Sequence, residues 1–154
     1  MSKFISIDPG KYKCGLVLVD LNEKKVCQAI ILKPELLAAN VKNLKAVEKI
    51  SKVIIGNGTT SKENIKKLSF IKQDLIIVEE KNTTYRAKER YFELFPISGI
   101  KKLIPREIFI LNLNLDALSA LIILEDYCNI RFTLSRSVEV KTWPQIVIDD
   151  EYVG

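Results

Sequence analysis

The sequence predicts an α/β protein built on a mixed sheet, three antiparallel strands followed by parallel ones, with helices on both faces. Three observations lead there. Residues 4–20 read as strand, tight turn, strand: Phe4, Ile5 and Ile7 run into Asp8, Pro9-Gly10 punctuates, and Leu16, Val17, Leu18 and Val19 form a second apolar run. A third β-forming run, residues 24–32, follows the short turn at Asn22-Glu23, so the first three strands form a meander. Beyond Pro34, helical periodicity alternates with short apolar runs, the order that parallel crossovers produce.

Each later element has its own signal. Leu36, Leu37, Val41, Leu44, Val47 and Ile50 recur at helical spacing, which predicts an amphipathic helix over residues 35–51 with Pro34 near its first turn. Residues 53–55 form a short apolar strand that ends in Gly56-Asn57-Gly58-Thr59-Thr60-Ser61. A helix over residues 62–70 turns Ile65 and Leu68 inward, and residues 75–78 make the next strand, ending in Glu79-Glu80. Thr83 or Thr84 caps a third helix carrying Ala87, Tyr91 and Phe92. Pro96, Gly99 and Pro105 make residues 94–113 an irregular connection of functional length. Asn114 caps a last helix, residues 115–128, whose Leu118, Leu121, Ile122 and Leu124 bury it against the sheet. Residues 132–142 alternate like a strand through Phe132, Leu134, Val138 and Val140. Few common folds have this order. The ribonuclease-H-like fold does, with a mixed sheet of about five strands. Residues 1–130 are expected to form that domain and residues 131–154 a tail, with an extra strand packed on it.

Composition narrows the function classes. At 154 residues the chain suffices for one domain with a sizeable core. No segment is apolar for the length a bilayer requires, and the opening residues lack a basic-then-apolar signal, so a cytoplasmic protein without a membrane partner is expected. Cys14, Cys27 and Cys128 are scattered and make neither a paired metal spacing nor a disulfide framework. With no histidine, Ser-His-Asp and Cys-His catalysis are excluded, as is any zinc site built on imidazole. A net charge of +5 is compatible with a polyanionic partner. The positive charge concentrates in Lys81, Arg86, Lys88, Arg90, Lys101, Lys102 and Arg106, whereas Asp149, Asp150 and Glu151 make the end acidic.

Any catalysis therefore falls to carboxylates, lysines, hydroxyls or a bound metal. Sites in α/β sheets form beyond the carboxyl ends of the parallel strands. Asp8 closes the first strand, Glu79 and Glu80 the fifth, and Asp116 lies in the first turn of the last helix, where the helix dipole favours an acid. Singly, each has a plain structural use: shaping a turn, ending a strand, complementing a dipole. Together, at the ends of the right elements, they can converge. Acids without histidine suit a hard cation, magnesium or manganese, held through oxygen. Two such ions can activate water and stabilise the leaving oxygen of a phosphodiester.

At this point the residues resemble a family. D-P-G-K-Y-K-C-G, Asp8 to Gly15, resembles the opening D-x-G-x-x-R-x-G of YqgF/RuvX-type ribonuclease-H-like nucleases, relatives of the RuvC Holliday-junction resolvases. V-E-E-K-N-T-T, Val78 to Thr84, resembles their V-D-E-R-x-T-T, and Leu115 to Leu124 resembles their closing D-A-x-A-A-x-x-I-L. The run Arg86-Ala87-Lys88-Glu89-Arg90-Tyr91 and Pro96 resemble the continuation in a longer branch of the family. By position, the resemblance implies Asp8, Glu80 and Asp116 as metal-binding catalytic acids, with Glu80 favoured over Glu79. It implies nucleic-acid cleavage, in maturing small-subunit ribosomal RNA (pre-16S rRNA) or in resolving branched DNA. Lys13 and Lys81 stand where the family has arginine, and Gly56-Asn57-Gly58 replaces its Gly-x-Pro.

Lys11, Lys13, Lys81, Arg86, Arg90, Lys101 and Lys102 are the candidate nucleic-acid contacts. Arg86 and Arg90, four apart, share a helix face beside the acids. Tyr85 and Tyr91 could stack on bases, although Tyr91 reads better as core. The glycine-rich stretch 56–61 is sufficiently explained as a strand-to-helix turn. The leading reading is thus a magnesium- or manganese-dependent nuclease for ribosomal RNA precursors, as a monomer or homodimer. Beside it stand a branched-DNA resolvase and a non-catalytic RNA-binding or ribosome-assembly factor. An actin-like phosphotransferase would need two such domains, for which the chain is too short.

Overall fold

The computed structural model describes residues 2–58, 61–71, 73–110, 114–136, 138 and 147–148. Three antiparallel strands open the fold: β1 (Lys3–Asp8), β2 (Cys14–Asp20) and β3 (Lys25–Leu32). Then come α1 (Pro34–Val47), β4 (Ile50–Gly56), α2 (Ser61–Lys67), β5 (Leu75–Val78), α3 (Thr83–Leu94), a short α4 (Arg106–Ile110) and α5 (Asp116–Cys128). β4 lies parallel to β1, and β5 parallel to β4, which gives the order β5-β4-β1-β2-β3. This is the ribonuclease-H-like arrangement that the alternation of elements predicts. Two short strands, β6 (Thr133–Leu134) and β7 (Val147–Ile148), add to the free edge of β3 at opposite ends, β6 against Lys25 and Val26 and β7 against Ile31 and Leu32.

Strand periodicity sorts the core into two layers. Ile5, Ile7, Leu16, Leu18, Ile30 and Leu32 meet Leu36, Leu37 and Val41 of α1 on one face. Phe4, Val17, Val19, Ala29 and Ile31 meet α5 on the other. α5 is apolar almost all round because it packs on the sheet and against α3: all residues from Ala117 to Glu125 are buried. Ser6 alternates onto that face with no apolar partner of its own, and its hydroxyl donates to the Ala120 carbonyl at 2.7 Å, which fixes α5 along β1.

Several expected details differ. α1 ends at Val47, four residues before the expected helix does, because Glu48 turns extended and Ile50 pairs with Lys3 to begin β4. The helix expected over 62–70 is α2 followed by a 3-10 turn, Ser69–Ile71. The connection over 94–113 contains a 3-10 turn, Gly99–Leu103, as well as α4. Neither threonine caps α3: Thr83 is its first, buried residue, and Asn82 at the cap is left-handed (φ 52°) and makes no side-chain cap bond. Leu115, not Asn114, stands at the cap of α5. Of the strand expected over 132–142, β6 is the described part; residues 137 and 139–142 lie outside the described residues, as do Thr59, Thr60, Trp143 and the acids Asp149–Glu151.

Candidate active site

Backbone register brings the three acids to one corner of the sheet. Asp8 is the last residue of β1 and pairs with Gly15 of β2. Gly15 has no side chain because the start of α5 occupies the space: a Cβ there would sit 1.9 Å from the Asp116 carbonyl oxygen. Asp116 therefore starts its helix directly over the β1–β2 pair. From the other side, the chain leaves β5 and sends Glu80 back across the end of β4. A Cβ on Gly56 would lie 1.9 Å from Glu80 Oε1, and one on Gly58 would lie 3.7 Å from the same atom and 3.7 Å from the Pro9 carbonyl. The glycine turn after β4 is thus the floor on which Glu80 rests. Turn chemistry accounts for Gly56 and Gly58 in the sequence, and their position adds this second role, since β4 neighbours β1 and both end at the same edge.

The electrostatics follow from crowding three carboxyls with little countercharge. The Asp8 carboxyl is pushed up to about 8, first by burial, then by the charges of Glu80 and Asp116 and by a hydrogen bond to Glu80. Burial also raises Glu80, partly offset by the hydrogen bond from Asp8. Asp116 is raised by burial as well, opposed by the nearby positive charge of Lys13. The pair therefore favours one shared proton, with the Asp8 hydroxyl donating the hydrogen bond and Glu80 accepting it. Glu80 Oε1 is buried and has no hydrogen-bond partner. Among the described residues no group of three acid, cysteine or histidine side chains stands ready to hold one ion. The arrangement is a carboxyl pair, Asp8 with Glu80, and a third carboxyl within range of its charge.

Glu79 and Glu80 part company after β5. Glu79 is exposed and lines a cleft of about 610 Å³ between α3 and α5, away from Asp8. Glu80 alone turns to the acids.

The seven cations are not one groove. Lys13 reaches the start of α5, where its Nζ donates to Asn114 Oδ1. That bond uses the residue expected as a helix cap. Lys11 is exposed in the β1–β2 turn and Lys81 just beyond Glu80. Lys101 and Lys102 are exposed on the 3-10 turn. Arg86 and Arg90 do share a face of α3, but it is the face turned to α5. Arg86 makes a two-pronged contact with Asp126 at 2.6 and 2.7 Å. Arg90, 7% exposed, makes another with Glu125 at 2.9 and 3.0 Å and also donates to the Phe132 carbonyl. Arg90 is therefore a buried structural residue, and the expectation that it lines an open phosphate groove is corrected: α5 and the segment at Phe132 have claimed its donors. Tyr91 packs in the core against Phe92 and Phe95, whereas Tyr85 is exposed on the first turn of α3.

Among the described residues no helix is long and apolar enough to cross a membrane. No protein-family model matches the sequence, and no curated protein matches it. Solved structures do. The T. thermophilus RuvC in complex with Holliday junction substrate is similar at a TM-score of 0.48 and 12% identity, over 84% of this chain and 96% of that one. A Thermus thermophilus RuvC structure is similar at a TM-score of 0.47 and 12% identity, over 82% of this chain and 94% of that one.

Proposed function

We propose that the chain is a metal-dependent nuclease, a hydrolase of phosphodiester bonds in nucleic acid, acting on ribosomal RNA precursors. The observation that carries this is the meeting of Asp8, Glu80 and Asp116 from three separate elements, with Glu80 Oε1 buried and unpartnered. A protein keeps such an atom unpaired at a cost of about 1–3 kcal/mol, and a functional ligand is one reason to do so. The donor set is all oxygen, which fits magnesium or manganese, two ions being the number that suits three carboxyls serving one phosphodiester. When bound, the ions would polarise the scissile phosphate and lower the pKa of an attacking water.

The chain's own residues have definite tasks in this reading. Asp8 in its deprotonated form, Glu80 through Oε1 over Gly56, and Asp116 would hold the ions, and Lys13 opposes the rise that burial imposes on Asp116. Lys11, Lys81, Lys101 and Lys102 act on phosphates as point charges, which position a strand without reading its sequence.

The test incubates the purified protein with manganese or magnesium and two labelled substrates, a single-stranded RNA and a four-way DNA junction. Asp8→Asn, Glu80→Gln, Asp116→Asn and Glu79→Gln run alongside. The expected result is metal-dependent cutting of RNA that the first three variants lose and Glu79→Gln keeps. Junction-selective cutting would move the substrate to branched DNA. Cutting of neither, with RNA still retained in a gel shift, would refute the nuclease and leave a binding factor.

A further inference from the structure

The segment between α3 and α5 carries aliphatic side chains in water. Ile100 and Leu103 are each 85% exposed, Ile108 is 57% exposed and Ile104 41%. In a 3-10 turn, side chains three apart eclipse one another. Ile100 and Leu103 of the turn Gly99–Leu103 therefore form one ridge, and Lys101 and Lys102 project to either side of it. Arg106 adds a third cation and holds the segment down, its guanidinium 5.1 Å from the centre of the Phe92 ring on α3. Exposed apolar surface of this kind marks a docking site.

We propose that this ridge is a wedge for nucleic acid: Ile100 and Leu103 enter between unpaired or weakly paired bases while Lys101, Lys102 and Arg106 hold the flanking phosphates. The inference rests on the nucleic-acid substrate proposed above and adds how that substrate is gripped. Charge decides the occupant. A second copy of the chain on a two-fold axis would set Lys101, Lys102 and Arg106 against their own equivalents, with Glu107 the one acid in the segment to offset them. A polyanion meets the same three cations favourably. Aliphatic side chains are used elsewhere in this way, partly unstacking a base step while cations hold the backbone.

The seat of the segment suggests a spacing. Phe92 lies nine residues along α3 from Thr83, about 14 Å at 1.5 Å per residue. α3 itself begins three residues after Glu80. Phe92, on which Arg106 rests, thus lies toward the end of α3 away from Glu80.

The test uses 2-aminopurine placed at the branch of a four-way DNA junction and, separately, at the closing pair of an RNA stem–loop. The full chain carries Asp8→Asn so that cleavage does not intervene. Binding should raise the probe's fluorescence at least about twofold as the base leaves its stack. Ile100→Ser with Leu103→Ser should abolish that rise and leave the salt dependence of binding intact. Lys101→Gln with Lys102→Gln should do the reverse, flattening the slope of log affinity against log salt by about two. All four residues are exposed, so the variants should fold, and circular dichroism confirms it. An unchanged fluorescence rise in the serine variant overturns the wedge, even if the Asp8 form still cuts and the nuclease reading stands. So does loss, in that variant, of self-association in sedimentation or of binding to phosphatidylserine vesicles, since the ridge would then face a second copy or a bilayer. Failure of the protein to bind either nucleic acid overturns the wedge and the nuclease together.

Discussion

Replacing Asp8 by asparagine should make the metal-free protein more stable, by an amount that grows with pH. The carboxyl sits at about 8 in the folded chain against an ordinary 3.8. The folded state thus binds this proton more tightly than the unfolded one, and its stability falls as pH climbs through that interval. At pH 4 the two forms should differ by under about 1 kcal/mol. At pH 7 the native state carries a cost of about 4 kcal/mol from this group, at 1.36 kcal/mol per pH unit. Above pH 8 the cost levels off. Asparagine removes it and keeps a donor for Glu80, since its amide offers permanently the hydrogen bond that Asp8 offers only while protonated. Urea denaturation in EDTA at pH 4 to 9, for both proteins, measures the difference directly. Taking the difference between variants cancels the titrating groups that do not interact with Asp8, such as Asp126, which Arg86 holds below its usual value, whereas Glu80 and Asp116 titrate together with Asp8 and stay in the difference. A difference that stays flat from pH 5 to 8 would refute the account of Asp8. Manganese should then lift the wild type most at high pH, where protons no longer compete for the carboxylates, and lift Asp8→Asn less.

Two glycines should fail in different ways. Gly15→Ala drives a Cβ to within 1.9 Å of the Asp116 backbone oxygen, and with no flexible atom to yield it should cost about 3 kcal/mol or more in urea denaturation. Gly56→Ala meets the side chain of Glu80 and not backbone, so it should fold with Glu80 displaced and lose the manganese-induced rise in Tm. Arg90→Ala strands the buried Glu125 carboxylate and should cost about 3–5 kcal/mol, whereas Arg86→Ala, breaking a half-exposed pair, should cost under about 1 kcal/mol in the same measurement.

The central sheet was legible because its signals are local and repeated. Apolar runs in β1 and β2, buried on both faces, the turn residues between them, and the later alternation of apolar runs with helices all point to one element order. The approach of Asp8, Glu80 and Asp116 was legible only from the three taken together, two at strand ends and one at a helix start, with the resemblance favouring Glu80 over Glu79. What escaped was set by partners remote in the chain. Arg86 and Arg90 look alike from spacing. Only the docking of α5 tells that Glu125 and Asp126 engage both, and that burial makes the first pair structural. Asn114 has the chemistry of a helix cap, yet Lys13, a hundred and one residues away, takes its side-chain oxygen. α1 stops at Val47 because Ile50 is needed beside Lys3, a demand invisible in a helical period.

The Ser6–Ala120 hydrogen bond joins positions 114 apart in sequence. It also sets a timetable. Local hairpins can close early, but α5 cannot settle on β1 and β2 until nearly all of the described domain exists, and loops of that length close slowly. Asp116 arrives with α5, so the corner of acids is incomplete until α5 has docked. During synthesis the growing chain already displays its cationic turns while its third carboxyl is still to come. On the proposed function, such a chain would bind nucleic acid before its three acids could act on it, which separates binding from cleavage in time as well as in space.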